Sequence, residues 1–265
     1  SHTYPKGANV LHLLRYILGD DTFFRTISTF LHKYEFTPVD THDLMKTVKE
    51  VSGKNMDWFF EMYVMKPGHA VFEVSKSWDE TSKILKINIL QKQDSLRDVP
   101  IYTVPVNFGF YFANEKVVKE VWLKEKTETL EFKFDSEPLM VRFDEGNYIL
   151  KELTYKKPLK ELLYQVEKDD VIGRLWAVNE LQAYSTDPAA INVWSKKAIS
   201  DSFWAVRNAA LVKLGQNSTK DHTDLIKGAL KDDKSNVRQS AVRILGDQKD
   251  SKNIKLLKKV YESDD

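Results

Sequence analysis

The 265-residue chain contains no cysteine. Disulfides, thiolate metal sites and cysteine nucleophiles are therefore excluded within these residues. The compartment stays open, because cytoplasmic and exported proteins alike can lack cysteine. A charge of one sign is missing too: 40 basic residues oppose 39 acidic ones, leaving a net charge of +1. That balance offers no field for nucleic acid or an anionic membrane. No uninterrupted apolar run approaches the roughly 20 residues of a membrane helix. Residues 1–20 lack the basic flank and small-residue cleavage pattern of a signal peptide. There is no phosphate-binding glycine loop and no G-x-S-x-G elbow. Nor is there H-E-x-x-H, the spacing that puts two imidazoles one helical turn apart with a glutamate over a metal-bound water. None of the six histidines (His2, His12, His32, His42, His69 and His222) has another four residues away. His12, His32 and His42 fall on different expected helices, so the histidines read as scattered surface or boundary residues.

What is present is folded protein. A hydrophobic fraction of 42% with 12% aromatic residues is far from a disordered composition, and the length suits two or three domains. The periodicity divides the chain in three, at 1–67, 68–155 and 156–265. The first segment predicts helices. Val10, Leu14, Ile17 and Leu18 share one helical face, and Gly19 follows as a stop. Asp20 and Asp21 sit where an N-cap is wanted, ahead of a stripe of Phe23, Ile27, Phe30, Leu31 and Tyr34. Thr41 can cap a third helix carrying Leu44, Val48 and Val51, closed by Ser52-Gly53. A short helix with Trp58, Phe59 and Met62 precedes the break at Pro67-Gly68.

The second segment changes to a period of two. Leu85, Ile87 and Ile89 alternate with Lys86, Asn88 and Leu90, and Val104, Val106, Phe108, Phe110 and Phe112 alternate over nine residues, the signature of a half-buried strand. Residues 117–122, 130–134 and 140–143 are further strand candidates, separated by loops such as Gln93-Asp94-Ser95 and Asp144-Glu145-Gly146-Asn147. Short strands at this spacing predict a small β-sandwich.

The third segment returns to helix and repeats itself. Arg174-x-x-Ala177, Arg207-x-x-Ala210 and Arg238-x-x-Ala241 are each followed by a leucine four residues after the alanine, at Leu181, Leu214 and Leu245. Asp170, Asp201 and Asp233 start the units, and Gly215 and Gly246 are expected to end helices. The pattern resembles HEAT-type helical repeats, in which small alanines permit close helix packing. The final Glu262-Ser263-Asp264-Asp265 is expected to fray.

One run is more specific than periodicity. Tyr4-Pro5-Lys6-Gly7-Ala8-Asn9-Val10-Leu11-His12-Leu13-Leu14-Arg15 is followed by Leu18-Gly19-Asp20, Phe23, Trp58-Phe59-Phe60 and Gly68. Together these resemble the stretch after the metal site in zinc aminopeptidases of the aminopeptidase N and leukotriene A4 hydrolase family. Gly68-His69-Ala70, Gln91, Val99-Pro100-Ile101 and Arg142-Phe143-Asp144 continue the likeness, with alanine where the family has proline. A proline at a strand start is permitted, not required.

The resemblance implies a multidomain α+β chain: the helical end of a thermolysin-like domain, a β-sandwich and a HEAT-like solenoid. It implies zinc and a peptide substrate for a full-length enzyme whose metal ligands and general base lie outside this chain. The chain alone is then expected to hold no catalytic zinc and to be inactive. Tyr4 is the one residue the resemblance assigns to catalysis, as a phenol donor to the oxyanion that forms on the peptide carbonyl. Lys6 reads as solvated, Gly7 as a point of close helix approach, Arg15 as a structural ion-pair partner, and Trp58, Phe59 and Phe60 as core. The repeats are candidates for protein contacts, for closing over a cleft, or for a brace. Two other classes fit the same residues: a non-catalytic scaffold of the same fold, and a free-standing adaptor whose helical aromatics would form an exposed apolar patch or a dimer interface.

Overall fold

The computed structural model describes residues 3–94, 97–217 and 222–263. His2, Ser95, Asp264 and Asp265 of the sequence readings lie outside the described residues. The architecture is mixed α+β, in two compact units, residues 1–156 and 157–265.

In the first unit, helices α1 (Thr3–Leu18), α2 (Asp20–Lys33) and α3 (Thr41–Ser52) are followed by α4 (Asp57–Phe60), which runs into one π-helical turn, Glu61–Met65. Val10, Leu13, Leu14 and Leu18 make the buried face of α1. Two caps differ from expectation. Gly19 is the N-cap of α2, its φ of 79° permitting the sharp joint with α1, while Asp20 lies inside the first turn. Asp40, not Thr41, caps α3: its carboxylate accepts from the amides of His42 and Asp43, and Asp43 returns a bond to the Asp40 amide. An ionised acceptor next to the helix N-terminus outcompetes a hydroxyl one residue later. Gly53 closes α3 in the left-handed region, as its position suggests.

Seven strands follow among the described residues: β1 (Ala70–Asp79), β2 (Ile84–Gln91), β3 (Val104–Tyr111), β4 (Lys116–Leu123), β5 (Thr127–Lys133), β6 (Met140–Phe143) and β7 (Lys151–Tyr155). They form two sheets, ordered β5-β2-β1-β7 and β4-β3-β6. The alternation holds in β2, where Leu85, Ile87 and Ile89 are buried between exposed Lys86 and Asn88, but β3 is not half-buried: every residue except the partly exposed Asn107 is buried, because the strand is covered on both faces. β1 and β7 were not legible as strands. β7 has only Leu153 and Tyr155 as large apolar residues, and it exists because it lies parallel along β1, from Ala70 opposite Lys151 to Val74 opposite Tyr155. Phenylalanines fill the space between the sheets, Phe72 against Phe143 at 5.0 Å and Phe110 against Phe132 at 4.8 Å between ring centres.

The second unit is helical: α5 (Leu159–Lys168), α6 (Val171–Glu180), α7 (Pro188–Ser200), α8 (Trp204–Asn217), α9 (Thr223–Gly228), α10 (Ser235–Asp247) and α11 (Ile254–Ser263). Ala177, Ala210 and Ala241, with Leu181, Leu214 and Leu245, are buried in one continuous core around Trp194. The glycines differ from expectation: Gly215 and Gly246 sit inside α8 and α10. A Cβ at Gly215 would come within 2.7 Å of the Ile244 side chain, so the glycine serves close packing of α10 on α8. Asp170 starts its unit as expected, capping α6 with its carboxylate on the Gly173 amide at 2.8 Å, while the arginines' backbone contacts fall on Asp169, Asp201 and Asp232. Arg174, Arg207 and Arg238 each donate Nη1 to the carbonyl of those aspartates, at 3.2, 3.0 and 3.1 Å. Arg174 forks onto the Asp201 carboxylate at 2.9 and 2.9 Å, and Arg207 onto Asp232 at 2.8 and 2.8 Å. Each repeat is thus tied to the next by a planar two-bond pair.

Candidate functional site

The residues singled out by sequence gather on the first turns of α1 and the groove beside them. Tyr4 lies in the opening turn with its side chain 86% exposed. No described residue hydrogen-bonds its hydroxyl. Pro5 suits this position, because the first helical N–H groups have no intrahelical acceptor to lose. Asn9 Nδ2 donates back to the Pro5 carbonyl at 2.8 Å.

Lys6 is not freely solvated. It is half-buried, and its ammonium donates to the Lys66 carbonyl at 3.3 Å, where the π-helical turn ends. Burial pulls its pKa below the ordinary lysine value. Gly7 is exposed, and a Cβ there would meet nothing within 4 Å. The close approach expected of it does not occur among the described residues, and nothing in the structure explains the glycine. Arg15 is the ion-pair partner it was expected to be: Nε and Nη2 reach the Asp20 carboxylate at 2.8 and 2.7 Å, across the joint between α1 and α2. That bond holds the exposed guanidinium above, and the Asp20 carboxyl below, their ordinary values.

Two anchors of the helical segment carried no sequence signal. Tyr16 donates its hydroxyl to Asn107 Oδ1 at 2.9 Å and to the carboxylate of Glu120, both on the sandwich. Burial and the Glu120 charge raise the pKa of this phenol well above normal. Its ring stacks on Tyr148 at 4.2 Å, and His12 stacks on the same ring at 5.3 Å. Only the fold brings residues 91 and 104 positions apart into contact with one hydroxyl. At the other end of the helical segment, Tyr63 donates to the Thr103 carbonyl at 3.0 Å and packs on Tyr102. Burial pushes the Tyr102 phenol up to about 12. Phe59 and Phe60 are core, as expected, while Trp58 is half-buried against Trp122.

Between α1, α2, α3 and the π-helical turn lies an open apolar groove of about 710 Å³, lined by Val10, Leu11, Leu14, Phe30, Leu44, Phe59 and Val64, with Lys6 and Gly7 at its side. The stripe expected on α2 is only partly covered: Phe23 is buried, Phe30 is half-buried and Leu31 is 62% exposed.

Zinc is the metal the resemblance implies. Among the described residues no three His, Asp or Glu side chains are grouped to hold a metal ion. Three of the described histidines are engaged elsewhere: His32 bonds the Ser28 carbonyl at 2.7 Å, His69 bonds Glu152 at 2.8 Å, and His42 faces its own capping Asp40, while His12 stacks on Tyr148 and His222 Nδ1 is buried without a hydrogen-bond partner. These side chains do not fit a zinc centre. No helix among the described residues is long and apolar enough to cross a membrane.

Residues 1–63 match the family described as peptidase family M1 domain, and residues 191–265 match HEAT repeats. A leucyl aminopeptidase of Saccharolobus solfataricus is 25% identical over 182 residues, covering 66% of this chain and 22% of that protein. The mitochondrial aminopeptidase 2 of Saccharomyces cerevisiae is 28% identical over 141 residues, covering 51% of this chain and 15% of that protein. The chain therefore spans about a fifth or less of the length of these relatives. The crystal structure of Legionella pneumophila aminopeptidase A in complex with aspartic acid superposes with a TM-score of 0.61. That superposition covers 92% of this chain and 30% of that one at 16% identity, which is a likeness of fold. The stretch carrying the run from Tyr4 to Arg15 thus lies within the match to the peptidase M1 domain, and both of these sequence relatives are aminopeptidases, the family that run resembles.

Proposed function

We propose that the chain is the C-terminal portion of a zinc-dependent aminopeptidase. Residues 1–67 are the last helices of its catalytic domain, 68–155 its β-sandwich and 156–265 its HEAT-like helical repeats. Metal ligands and general base are supplied from outside this chain. Zinc, when bound there, supplies Lewis acidity and an activated water.

This chain supplies Tyr4. Its hydroxyl donates a hydrogen bond to the oxyanion that develops on the scissile carbonyl, a bond stronger in the transition state than with the neutral carbonyl. The observation that carries this reading is a phenol in the opening turn of the M1-matched segment, 86% exposed and with its donor unused among the described residues. The uncovered apolar groove beside it supports the same reading, because residues 1–67 are then a fraction of a larger domain.

Metal content by mass spectrometry, together with hydrolysis of a panel of aminoacyl fluorogenic substrates, tests the proposal on the full-length protein and on this chain. The expected result is zinc and activity in the full-length protein only, with kcat falling on the order of 10²-fold or more in Tyr4→Phe. Stoichiometric zinc with activity in the 265 residues alone would sink it. The HEAT repeats favour a second reading, a non-catalytic protein-binding scaffold. A full-length protein with neither zinc nor activity would select that reading.

A further inference from the structure

The opening turn of α1 is the weakest part of that helix. Its first N–H groups have no intrahelical acceptor, Pro5 donates nothing, and Gly7 favours helix less than alanine by about 1 kcal/mol. Unanchored, such a turn frays at little free-energy cost. Among its described side chains, Lys6 alone makes a long-range hydrogen bond, across 60 residues to the Lys66 carbonyl.

The acceptor is well held. Lys66 caps the π-helical turn with its amide on the Glu61 carbonyl at 3.0 Å, and its own ammonium reaches Asp98 at 2.8 Å. Two residues on, Gly68 has a φ of 84°, and a Cβ there would approach Val99 Cγ1 to 2.7 Å, so the backbone course after Lys66 is confined. The carbonyl end of a helix is also the end that favours a cation. Lys6 thus ties the turn that carries Tyr4 to the point where the chain leaves the helices for the sandwich.

We propose that Lys6 is a positioning residue for Tyr4, fixing the opening turn of α1 through the Lys66 carbonyl. Its consequence for catalysis rests on the role given to Tyr4 above; the anchoring of the turn does not.

Two measurements separate these parts. Hydrogen exchange on the 265-residue chain reads the anchor. Lys6→Met is expected to speed exchange of the amides of residues 7–10, whose helical bonds close on residues 3–6, on the order of 10-fold, with residues 11–18 and the sheets unchanged. Lys6→Arg, which keeps a charged donor, is expected to restore most of the protection. Unchanged exchange at residues 7–10, or a rise spread over the whole unit, would overturn the proposal. Steady-state kinetics on the full-length protein read the consequence. Lys6→Met should lower kcat by roughly 10- to 100-fold, the scale of a small misplacement of a catalytic group, with KM within about 2-fold. The Tyr4→Phe/Lys6→Met double variant should be no slower than Tyr4→Phe alone. If the two losses multiply, Lys6 acts independently of Tyr4 and the positioning role is wrong. If Tyr4→Phe leaves kcat intact while the exchange result holds, the catalytic reading of Tyr4 fails and the anchor stands.

Discussion

The helices of the two units answer the same demand differently. In residues 157–265 the inner faces of the repeat helices close on one core: Trp194 is fully buried with its indole N–H on the Val178 carbonyl at 2.9 Å, and the alanine and leucine positions of the repeats surround it, although Ile199 and Ile254 on the outside stay exposed. Their charges are closed as well, since Arg174 and Arg207 each fork onto a largely buried aspartate. In residues 1–67 the outer face stays open. Leu31 is 62% and Phe36 98% exposed, a groove runs beside α1, and the Arg15–Asp20 pair sits in solvent. An amphipathic pattern states which face of a helix gains by burial. It does not state whether the same stretch of chain provides the cover.

The contrast breaks first, and most heavily, at Trp194. Trp194→Ala should destabilise the helical unit by about 3–5 kcal/mol, the transfer and cavity terms of a buried aromatic. Urea unfolding of the chain measures it; a loss below about 1 kcal/mol would show that the repeats collapse easily around the gap. Arg207→Met comes next. It leaves Asp232 largely buried and unpaired, with an expected loss of about 3 kcal/mol, whereas Arg15→Met at the solvent-screened pair should lose far less. Equal losses would erase the distinction drawn between the two units.

The same pair sets an acid limb. The Arg207 hydrogen bond pulls the Asp232 carboxyl from 3.8 down to about 2. A carboxyl whose folded pKa is depressed contributes stability that is complete above its unfolded value and is lost as pH falls through the folded one. Unfolding free energy of the helical unit, measured from pH 5 to pH 2, should therefore drop across the interval between about 4 and 2, and Arg207→Met should flatten that drop. The smallest effect is expected at the open face. Leu31→Ser and Phe36→Ser should change stability within about 0.5 kcal/mol while reducing dye binding by the exposed surface. A loss above 1 kcal/mol in either variant would mean that this face is covered after all.

Much of this was legible in the sequence because it is local. The period of 3.6 in Val10, Leu14 and Leu18, the period of 2 in Leu85, Ile87 and Ile89, and the in-phase Arg-x-x-Ala units each depend on near neighbours only. So did the stop at Gly53 and the pair at Arg15. One miss was a contest between adjacent candidates. Asp40 displaced Thr41 as a cap, because geometry in three dimensions picked one of two chemically suitable neighbours, while in the repeat Arg207 takes both Asp232 and Asp233. β7 was invisible because its strand character comes from β1, more than 70 residues earlier.

The sequence by itself determined most of the element types, though not β1 or β7, the mixed α+β class, the repeat, and the run from Tyr4 to Arg15 that resembles a peptidase. The tertiary structure alone decided what holds that run in place: Lys6 on the Lys66 carbonyl, and Tyr16 between Asn107, Glu120 and the Tyr148 ring. The reason is physical. Periodicity and capping are encoded over a few residues, whereas a hydrogen bond between groups 60 or 104 residues apart exists only after two sheets and four helices have fixed where those groups meet.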